Sequence, residues 1–318
     1  MSAEKQFAQL DFQPFQGCSS PHIQTVFARF SPPGKSPPSQ PFLVPLTDGD
    51  LLSCQLSTPP TWNPTEKTIL LVHGLCGNHE SSYMVRLSRK IYNMGYRAVR
   101  INLRCCGSGY GLARRPYHGG ISDDLLQVAQ ALNRQTPRSP TILIGFSLGG
   151  NIAVKLAGEL GSQAEGLLSR TIAVCAPLDL AHTAHLLTLP HNRFYQSYYL
   201  HKLQKDAQLW LNKREINTMV EFDSLVTAPQ WGFKDAADYY EKSSSRKLLQ
   251  QIRHPCTLLY AQDDPFIDYR QCTDTTLSPH VQVFFTRHGG HMGFFGWADP
   301  ENRYFWLDSQ LLKWVKHG

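Results

Sequence analysis

The chain has 318 residues, of which 42% are hydrophobic and 18% are charged, and this is the composition of an ordinary soluble globular protein. The formal net charge is +6, but lysine and arginine are spread along the chain rather than grouped, so we expect no nucleic-acid partner. No stretch approaches the roughly 20 uninterrupted apolar residues of a membrane span, and the N-terminus lacks the apolar segment of a secretion signal.

Eight cysteines are present, and several of them lie in apolar runs or beside glycine-containing turns. Because no secretion signal accompanies them, we expect reduced thiols and a cytoplasmic location. No pair has the C-x-x-C spacing of a zinc site, and we expect neither a metal nor a cofactor.

Residues 1–41 are rich in proline, serine and glutamine and predict an irregular surface arm, in which 21–25 is the only compact feature. Two apolar stretches between residues 42 and 57 then flank Asp48-Gly49, and Asp-Gly between such stretches is a strong hairpin signal. We therefore expect antiparallel strands at one edge of a sheet.

From residue 68 onward, short apolar runs alternate with helical patterns, which predicts an α/β fold with a mostly parallel sheet flanked by helices. The alternation stops between residues 177 and 252, where apolar and aromatic residues recur at helical spacing. We therefore predict a core built from 42–176 and 253–318, with a helical lid inserted at 177–252. The predicted strands are 68–72, 96–103, 141–146, 170–176, 257–262 and 281–286.

The most informative stretch begins with a short apolar run over 141–146, followed by a glycine-flanked serine and a helical pattern. Gly145, Ser147 and Gly149 form a G-x-S-x-G pattern, in which a strand turns sharply into a helix and exposes the serine above the sheet. This context favours Ser147 as a nucleophile. The alternative is a glycine-rich turn whose serine only caps the helix.

An activated serine needs a histidine as base and a carboxylate to orient that histidine, in the chain order Ser, Asp, His. The loops that follow the last two predicted strands carry Asp263-Asp264 and His288-Gly289-Gly290-His291. Spacing from the strand end favours Asp264 over Asp263 as the acid. The two glycines before His291 favour it over His288 as the base.

An oxyanion needs two N–H donors, and we expect them from Leu148, which opens the helix, and from Leu75 in the loop after the first parallel strand. His73 in that loop is expected to be structural. Cys76 is a weaker rival nucleophile because no strand-to-helix turn presents it. The H-x4-D spacing of His118 and Asp123 is compatible with base catalysis, but Asp123 reads as a first-turn helix residue.

With these residues assembled, the chain resembles the α/β-hydrolase superfamily, and within it the YheT-like branch, also called AB hydrolase family 4. The resemblance covers nearly the whole chain. Its marks are Pro21-His22-Ile23-Gln24-Thr25, His73-Gly74, Asn102-Leu103-Arg104, Tyr117-His118, Asp123-Asp124-Leu125, the stretch 145–151, Asp223, Thr227-Ala228-Pro229, Gly232-Phe233, Tyr239-Tyr240, Asp263-Asp264-Pro265-Phe266 and Gly289-Gly290-His291.

This resemblance implies Ser147 as nucleophile, His291 as base, one of the two aspartates as its partner, and carboxylic-ester hydrolysis or acyl transfer as the chemistry. One departure concerns the loop after the strand 96–103. Relatives often carry Arg-Gly-Cys-Ser-Gly there, whereas Cys105 replaces the glycine in this chain, so the geometry of that turn is an open question.

We therefore read the chain as a serine hydrolase that cleaves carboxylic esters, either short- to medium-chain acyl esters or lipid-like esters, through a Ser-His-Asp triad and an acyl-enzyme. The alternatives are an acyltransferase that uses an alcohol instead of water, and a non-catalytic binding protein with the same fold. The acyl chain length, the alcohol group and the oligomeric state stay open. Candidate pocket walls are the aromatic residues of the insertion, for which simple packing is the alternative: Phe194, Tyr195, Tyr198, Tyr199 and Trp210.

Overall fold

A single sheet runs through the molecule in the computed structural model, which describes residues 6–207, 216–300 and 303–317. Within these residues the sheet has nine strands in the order β1-β9-β8-β7-β6-β4-β5-β3-β2. The strands are β1 (Phe7–Gln9), β2 (Gln40–Pro45), β3 (Leu51–Ser57), β4 (Thr68–Val72), β5 (Arg97–Asn102), β6 (Thr141–Phe146), β7 (Arg170–Val174), β8 (Cys256–Ala261) and β9 (Val281–Thr286).

Two pairings of this sheet are antiparallel and the other six are parallel. The hairpin β2–β3, joined across Asp48-Gly49, forms one edge and pairs antiparallel with β5. Every residue of β4, β5, β6 and β8 is buried, because helices cover both faces of a parallel sheet. The predicted fold class is confirmed.

The helices lie on the two faces of the sheet and above its edge. No helix in the described ranges is both long and apolar enough to cross a bilayer. The helices are α1 (Pro21–Phe30), α2 (Ser82–Asn93), α3 (Ser122–Gln135), α4 (Leu148–Leu160), α5 (Leu180–Thr188), α6 (Arg193–Asp206), α7 (Met219–Phe222), α8 (Ala228–Trp231), α9 (Ala236–Ser243), α10 (Arg270–Thr273) and α11 (Trp306–His317).

The stretch predicted as a lid is built from α5 to α9. In its described parts, 177–207 and 216–252, every regular element is helical. A π-helical turn, Asp223–Thr227, joins α7 to α8. Apolar residues of this stretch, among them Leu187 and Phe222, share one core with residues of β7 and β8.

The prediction of an irregular N-terminal arm was wrong for two segments. Strand β1 pairs in parallel with β9, a long-range pairing that no local pattern announces. Helix α1 begins at Pro21, a residue that suits the first turn. Its polar residues Gln24 and Thr25 are buried, whereas Val26 and Phe27 are each 40% exposed. This inverts the usual apolar pattern of a surface helix, and it explains why periodicity did not reveal α1.

The direction of the parallel strands determines where the candidate residues meet. The chain leaves β4, β6, β8 and β9 at the same edge of the sheet, because these strands are parallel to one another. The loops that follow them carry Leu75, Ser147, Asp264 and His291, respectively. Ligands of open α/β sheets bind at this carboxyl edge.

Candidate active site

Ser147 stands alone between β6, which ends at Phe146, and α4, which begins at Leu148. Its backbone has φ 50° and ψ −122°, a strained conformation for a residue with a side chain, which costs on the order of 1–3 kcal/mol. A Cβ on Gly145 would overlap the carbonyl of Gly149, and a Cβ on Gly149 would overlap the carbonyl of His73. The two glycines therefore permit the tight turn that presents the serine.

The Ser147 hydroxyl is hydrogen-bonded to an imidazole. Its Oγ lies 2.8 Å from Nε2 of His291, and Nδ1 of the same ring lies 2.8 Å from Oδ2 of Asp264. The Asp264 side chain is fully buried, and its Oδ1 accepts the N–H groups of Phe266 and Ile267. With Nδ1 donating to the carboxylate, Nε2 is the acceptor for the serine hydroxyl, which is the geometry of general-base activation.

The second aspartate of the pair contacts the backbone of the histidine loop. Asp263 Oδ1 accepts the N–H of Gly290 at 2.9 Å, and Oδ2 lies 3.4 Å from Nδ1 of the partly exposed His288. Burial raises the pKa of Asp263 above its ordinary value. The structure thus brings Asp264, and not Asp263, to the imidazole of His291, and it pairs His288 with Asp263.

Helix α1 supports the histidine loop, and sequence reasoning did not foresee this role. The N–H of His291 donates to Oγ1 of Thr25 at 2.9 Å, and that hydroxyl donates to the carbonyl of Pro21. The fully buried Gln24 receives the N–H of Phe295 and donates to its carbonyl. The compactness of the 21–25 motif was the available signal.

In the loop after β4, the backbone N–H groups on either side of Leu75 donate to tyrosine hydroxyls. The N–H of Gly74 donates to the hydroxyl of Tyr83 at 3.0 Å, and the N–H of Cys76 donates to the hydroxyl of Tyr117 at 2.8 Å. The N–H of Leu75 lies between them and makes no hydrogen bond to any described residue. A Cβ on Gly74 would lie 3.0 Å from the Cβ of Ser147, so this loop borders the serine.

The second expected donor, Leu148, is the first residue of α4, and the N–H groups of the first helical turn have no acceptor within their own helix. Both Leu75 and Leu148 line a cavity together with Ser147. The positive end of the helix dipole also favours a negative charge at this position.

His73 anchors the same loop from below. Its ring is fully buried, Nε2 accepts the N–H of Leu103, and Nδ1 therefore donates to the carbonyl of Gly74. Burial lowers the pKa of His73 to about 4, so the ring is neutral at pH 7.

The rival residues are placed differently from Ser147. Burial raises the pKa of Cys76 to about 12, which disfavours the thiolate that a cysteine nucleophile needs. His118 is packed against Trp231, and its Nδ1 accepts the N–H of Gly120, while Asp123 is exposed in the first turn of α3. Cys105 adopts φ 62°, so the turn keeps a left-handed residue where relatives carry glycine.

Two cavities meet at the serine. The His291 cavity, of about 870 Å³, is lined by His291, Thr25 and Phe30, among others. The Asp223 cavity, of about 760 Å³, extends towards the lid helices and is lined by Asp223. Leu75, Ser147 and Tyr199 line both. The predicted wall residues Phe194, Tyr195, Tyr198 and Tyr199 line the His291 cavity, whereas Trp210 lies outside the described residues.

One group of side chains in the described part of the chain has the composition of a metal site. Cys175, Asp264 and His291 place one ligand atom each within 4.8 Å of the others. Asp264 and His291 are already hydrogen-bonded to each other, and burial raises the pKa of the Cys175 thiol well above its ordinary value. Asp264 and His291 belong to the chain of hydrogen bonds that ends at the Ser147 hydroxyl, and this arrangement accounts for their closeness.

The sequence profile described as the alpha/beta hydrolase family matches residues 69–303, well over half of the chain. The chain belongs to this family. The predicted resemblance to the α/β-hydrolases is thus confirmed, and the residues assembled above lie where such enzymes carry their active site.

Among curated proteins, this α/β-hydrolase is 30% identical to YheT of Escherichia coli (strain K12), over 96% of its own length and 93% of that protein. The predicted YheT-like branch is therefore confirmed. The chain is also 30% identical to the monoacylglycerol lipase of Saccharomyces cerevisiae and 27% identical to the phospholipase ABHD3 of Mus musculus, over 78% and 72% of its length. It spans 58% and 59% of those two proteins.

Solved structures support the same fold. The Pyrococcus furiosus esterase Pf2001 superposes with a TM-score of 0.60 at 14% identity, covering 96% of this chain and 98% of that chain. A 2,6-dihydroxy-pseudo-oxynicotine hydrolase superposes with a TM-score of 0.61 at 17% identity, covering 92% and 70%. At these identities the likeness concerns the fold alone.

The buried histidine below the loop predicts a pH dependence of stability. The pKa of His73 is about 4 in the folded chain and near the ordinary 6.5 in the unfolded chain. The unfolded chain therefore binds a proton that the folded chain excludes. Because of this proton, the free energy of unfolding decreases as the pH is lowered from 6.5 to 4. The expected slope is about 1.4 kcal/mol per pH unit for one such histidine.

The test is urea denaturation of the wild type and of a His73→Gln variant at pH 7, 6 and 5. The buried Asp223, whose pKa is raised to about 6, acts in the opposite direction below pH 6 but is common to both proteins. We expect the free energy of unfolding of the variant to depend less steeply on pH, by close to the slope that one titrating histidine contributes. An identical slope in the two proteins would contradict a neutral, buried His73.

Proposed function

We propose that the protein is a serine hydrolase that cleaves carboxylic esters through an acyl-enzyme formed on Ser147. The observation that carries this proposal is the unbroken hydrogen-bond chain from Ser147 Oγ through His291 to the buried Asp264, with 2.8 Å at each step. A non-catalytic binding protein has no need of this chain at a strained turn.

The proposed reaction has two stages. The Ser147 oxygen attacks the ester carbonyl while Nε2 of His291 takes the hydroxyl proton, and Asp264 stabilises the resulting imidazolium. The N–H groups of Leu75 and Leu148 hold the oxyanion. The tetrahedral intermediate then collapses, the C–O bond to the alcohol breaks, and His291 returns the proton to the leaving oxygen.

In the second stage, water replaces the alcohol. His291 takes a proton from the water as its oxygen attacks the acyl carbon, and the collapse of the second intermediate releases the acid and restores the Ser147 hydroxyl. The balance is one ester and one water consumed for one acid and one alcohol. Transfer to another alcohol would follow the same path, with the acceptor hydroxyl in place of water.

Support for the ester as substrate comes from the relatives and from the cavities. Similar proteins are named esterase, monoacylglycerol lipase and phospholipase. Both cavities at Ser147 have mainly apolar walls, which suits short- to medium-chain acyl esters or lipid-like esters.

We also propose that residues 177–252 act as a lid, because its helices α5, α6, α7 and α9 contribute walls to the cavities. We propose a cytoplasmic location for the protein. It agrees with eight cysteines that are all free thiols.

The roles of the two aspartates predict different losses of activity. Ser147→Ala should reduce kcat for p-nitrophenyl octanoate by about 10⁶-fold, to the level of residual catalysis. Asp264→Asn should reduce kcat by roughly 10⁴-fold, because the imidazole loses its orienting carboxylate. Asp263→Asn is the matched control, and its loss should be far smaller since it contacts only loop groups. Activity in Ser147→Ala, or equal losses in the two aspartate variants, would contradict these roles.

The support of His291 by α1 predicts a positioning effect. Thr25→Val keeps the size of the side chain but removes the hydroxyl that receives the His291 N–H. The loss of one such hydrogen bond should lower kcat roughly 5- to 10-fold with little change in KM. Thr25→Ser, which keeps the hydroxyl, should restore most of kcat. Equal kcat values for the wild type and Thr25→Val would show that this contact does not position the histidine.

A further inference from the structure

The two cavities at Ser147 hold the two halves of an ester, one half in each cavity. This assignment rests on the proposed function. The leaving alcohol oxygen takes its proton from Nε2 of His291, and His291 lines only one of the cavities. The alcohol half therefore occupies the His291 cavity. The acyl chain is left with the Asp223 cavity, which the oxyanion donor Leu148 also lines.

The Asp223 cavity has apolar walls with one acid among them. Leu180, Leu187, Met219, Phe222 and Ile267 contribute apolar surface, and this set of residues would suit a plain alkyl chain. A carboxyl group in such a wall is costly to bury without good partners. Asp223, which is only 8% exposed, therefore calls for a physical explanation.

The partners of Asp223 are two hydroxyl groups. Oδ1 accepts the hydroxyl of Thr227 and Oδ2 accepts the hydroxyl of Tyr240, each at 2.7 Å. No cation among the described residues is paired with this carboxyl, and burial raises its pKa to about 6. Thr227 and Tyr240 line the same cavity. The three side chains form a continuous polar site, which we name the Asp223 subsite.

This subsite still has hydrogen-bonding capacity. An ionised carboxylate offers about four acceptor positions, and the two hydroxyls fill two of them. An alkyl chain that filled the cavity would displace water and leave the remaining positions unpaired. Asp223 also begins the π-helical turn Asp223–Thr227, and such turns are frequent at functional sites.

A hydroxyl group suits these free positions better than an ammonium group does. A hydroxyl has one hydrogen to donate, and one acceptor position on Asp223 satisfies it. An ammonium group has three N–H donors, and the neighbouring cavity wall is mainly apolar. The negative charge of Asp223 would attract an ammonium group more strongly, but the N–H groups that it leaves unpaired against the apolar wall are costly, whereas a hydroxyl leaves no donor unpaired.

We infer that Asp223, with Thr227 and Tyr240, forms a specificity site for acyl groups that carry a hydroxyl along the chain. The enzyme selects hydroxyacyl esters over plain acyl esters of equal length. The selection arises in the acyl half of the substrate and does not depend on the alcohol.

The first test compares the wild-type protein on p-nitrophenyl octanoate and on the 6-, 7- and 8-hydroxyoctanoate esters. At least one hydroxylated ester should have a kcat/KM about 10-fold or more above that of octanoate, as a hydrogen bond to a charged group implies. If octanoate is cleaved at least as fast as every hydroxylated ester, the inference is overturned while ester hydrolysis stands. If no ester is cleaved, the proposed function fails and the inference fails with it.

The second test uses a matched pair of variants. Asp223→Leu should bring the ratio of kcat/KM values for the preferred hydroxylated ester and octanoate close to 1. Asp123→Leu makes the same exchange at an exposed aspartate that lines neither cavity, and it should keep the wild-type ratio. A wild-type ratio in Asp223→Leu would overturn the inference. If Asp223→Leu does not fold, the wild-type comparison alone decides.

Discussion

The site depends on one strained backbone position. Ser147 has a positive φ between a strand and a helix, and the glycines on either side of it leave room for the carbonyls that close in around the turn. This turn raises the hydroxyl above the carboxyl edge of the sheet, where the loops after β8 and β9 deliver Asp264 and His291. A side chain at either glycine would force the turn open and separate the hydroxyl from the imidazole.

The parts of the fold that sequence predicted are those encoded locally. Strand β6 and helix α4 have apolar patterns of the right lengths, and Gly145 and Gly149 bracket the serine between them. The late loops could be assigned because parallel strands end at one edge, so a chain order of serine, aspartate and histidine already implies proximity. Even the choice of Asp264 over Asp263 followed from distance along the loop, and the geometry brings Asp264 to the imidazole.

The parts that sequence did not predict depend on long-range contacts. Helix α1 buries Gln24 and Thr25 and exposes apolar residues, so its role beneath the histidine loop is visible only once His291 is in place. The position of Asp223 in a cavity wall likewise requires the packing of α7 and α9 around the serine, although the residue stood out as a family mark. The burial of Thr25 is explained by its contact with His291, which lies more than 100 positions away along the chain. The position of Asp223 is explained by a cavity that no local sequence pattern describes.

The most direct test of the central claim is mass spectrometry of the protein after reaction with a fluorophosphonate, which traps an activated serine without needing the right ester. The account predicts one equivalent of adduct, located on Ser147, and a severe loss of labelling rate in a folded His291→Gln variant. An adduct on another residue, or unchanged labelling without the imidazole, would contradict the claim that His291 activates this hydroxyl.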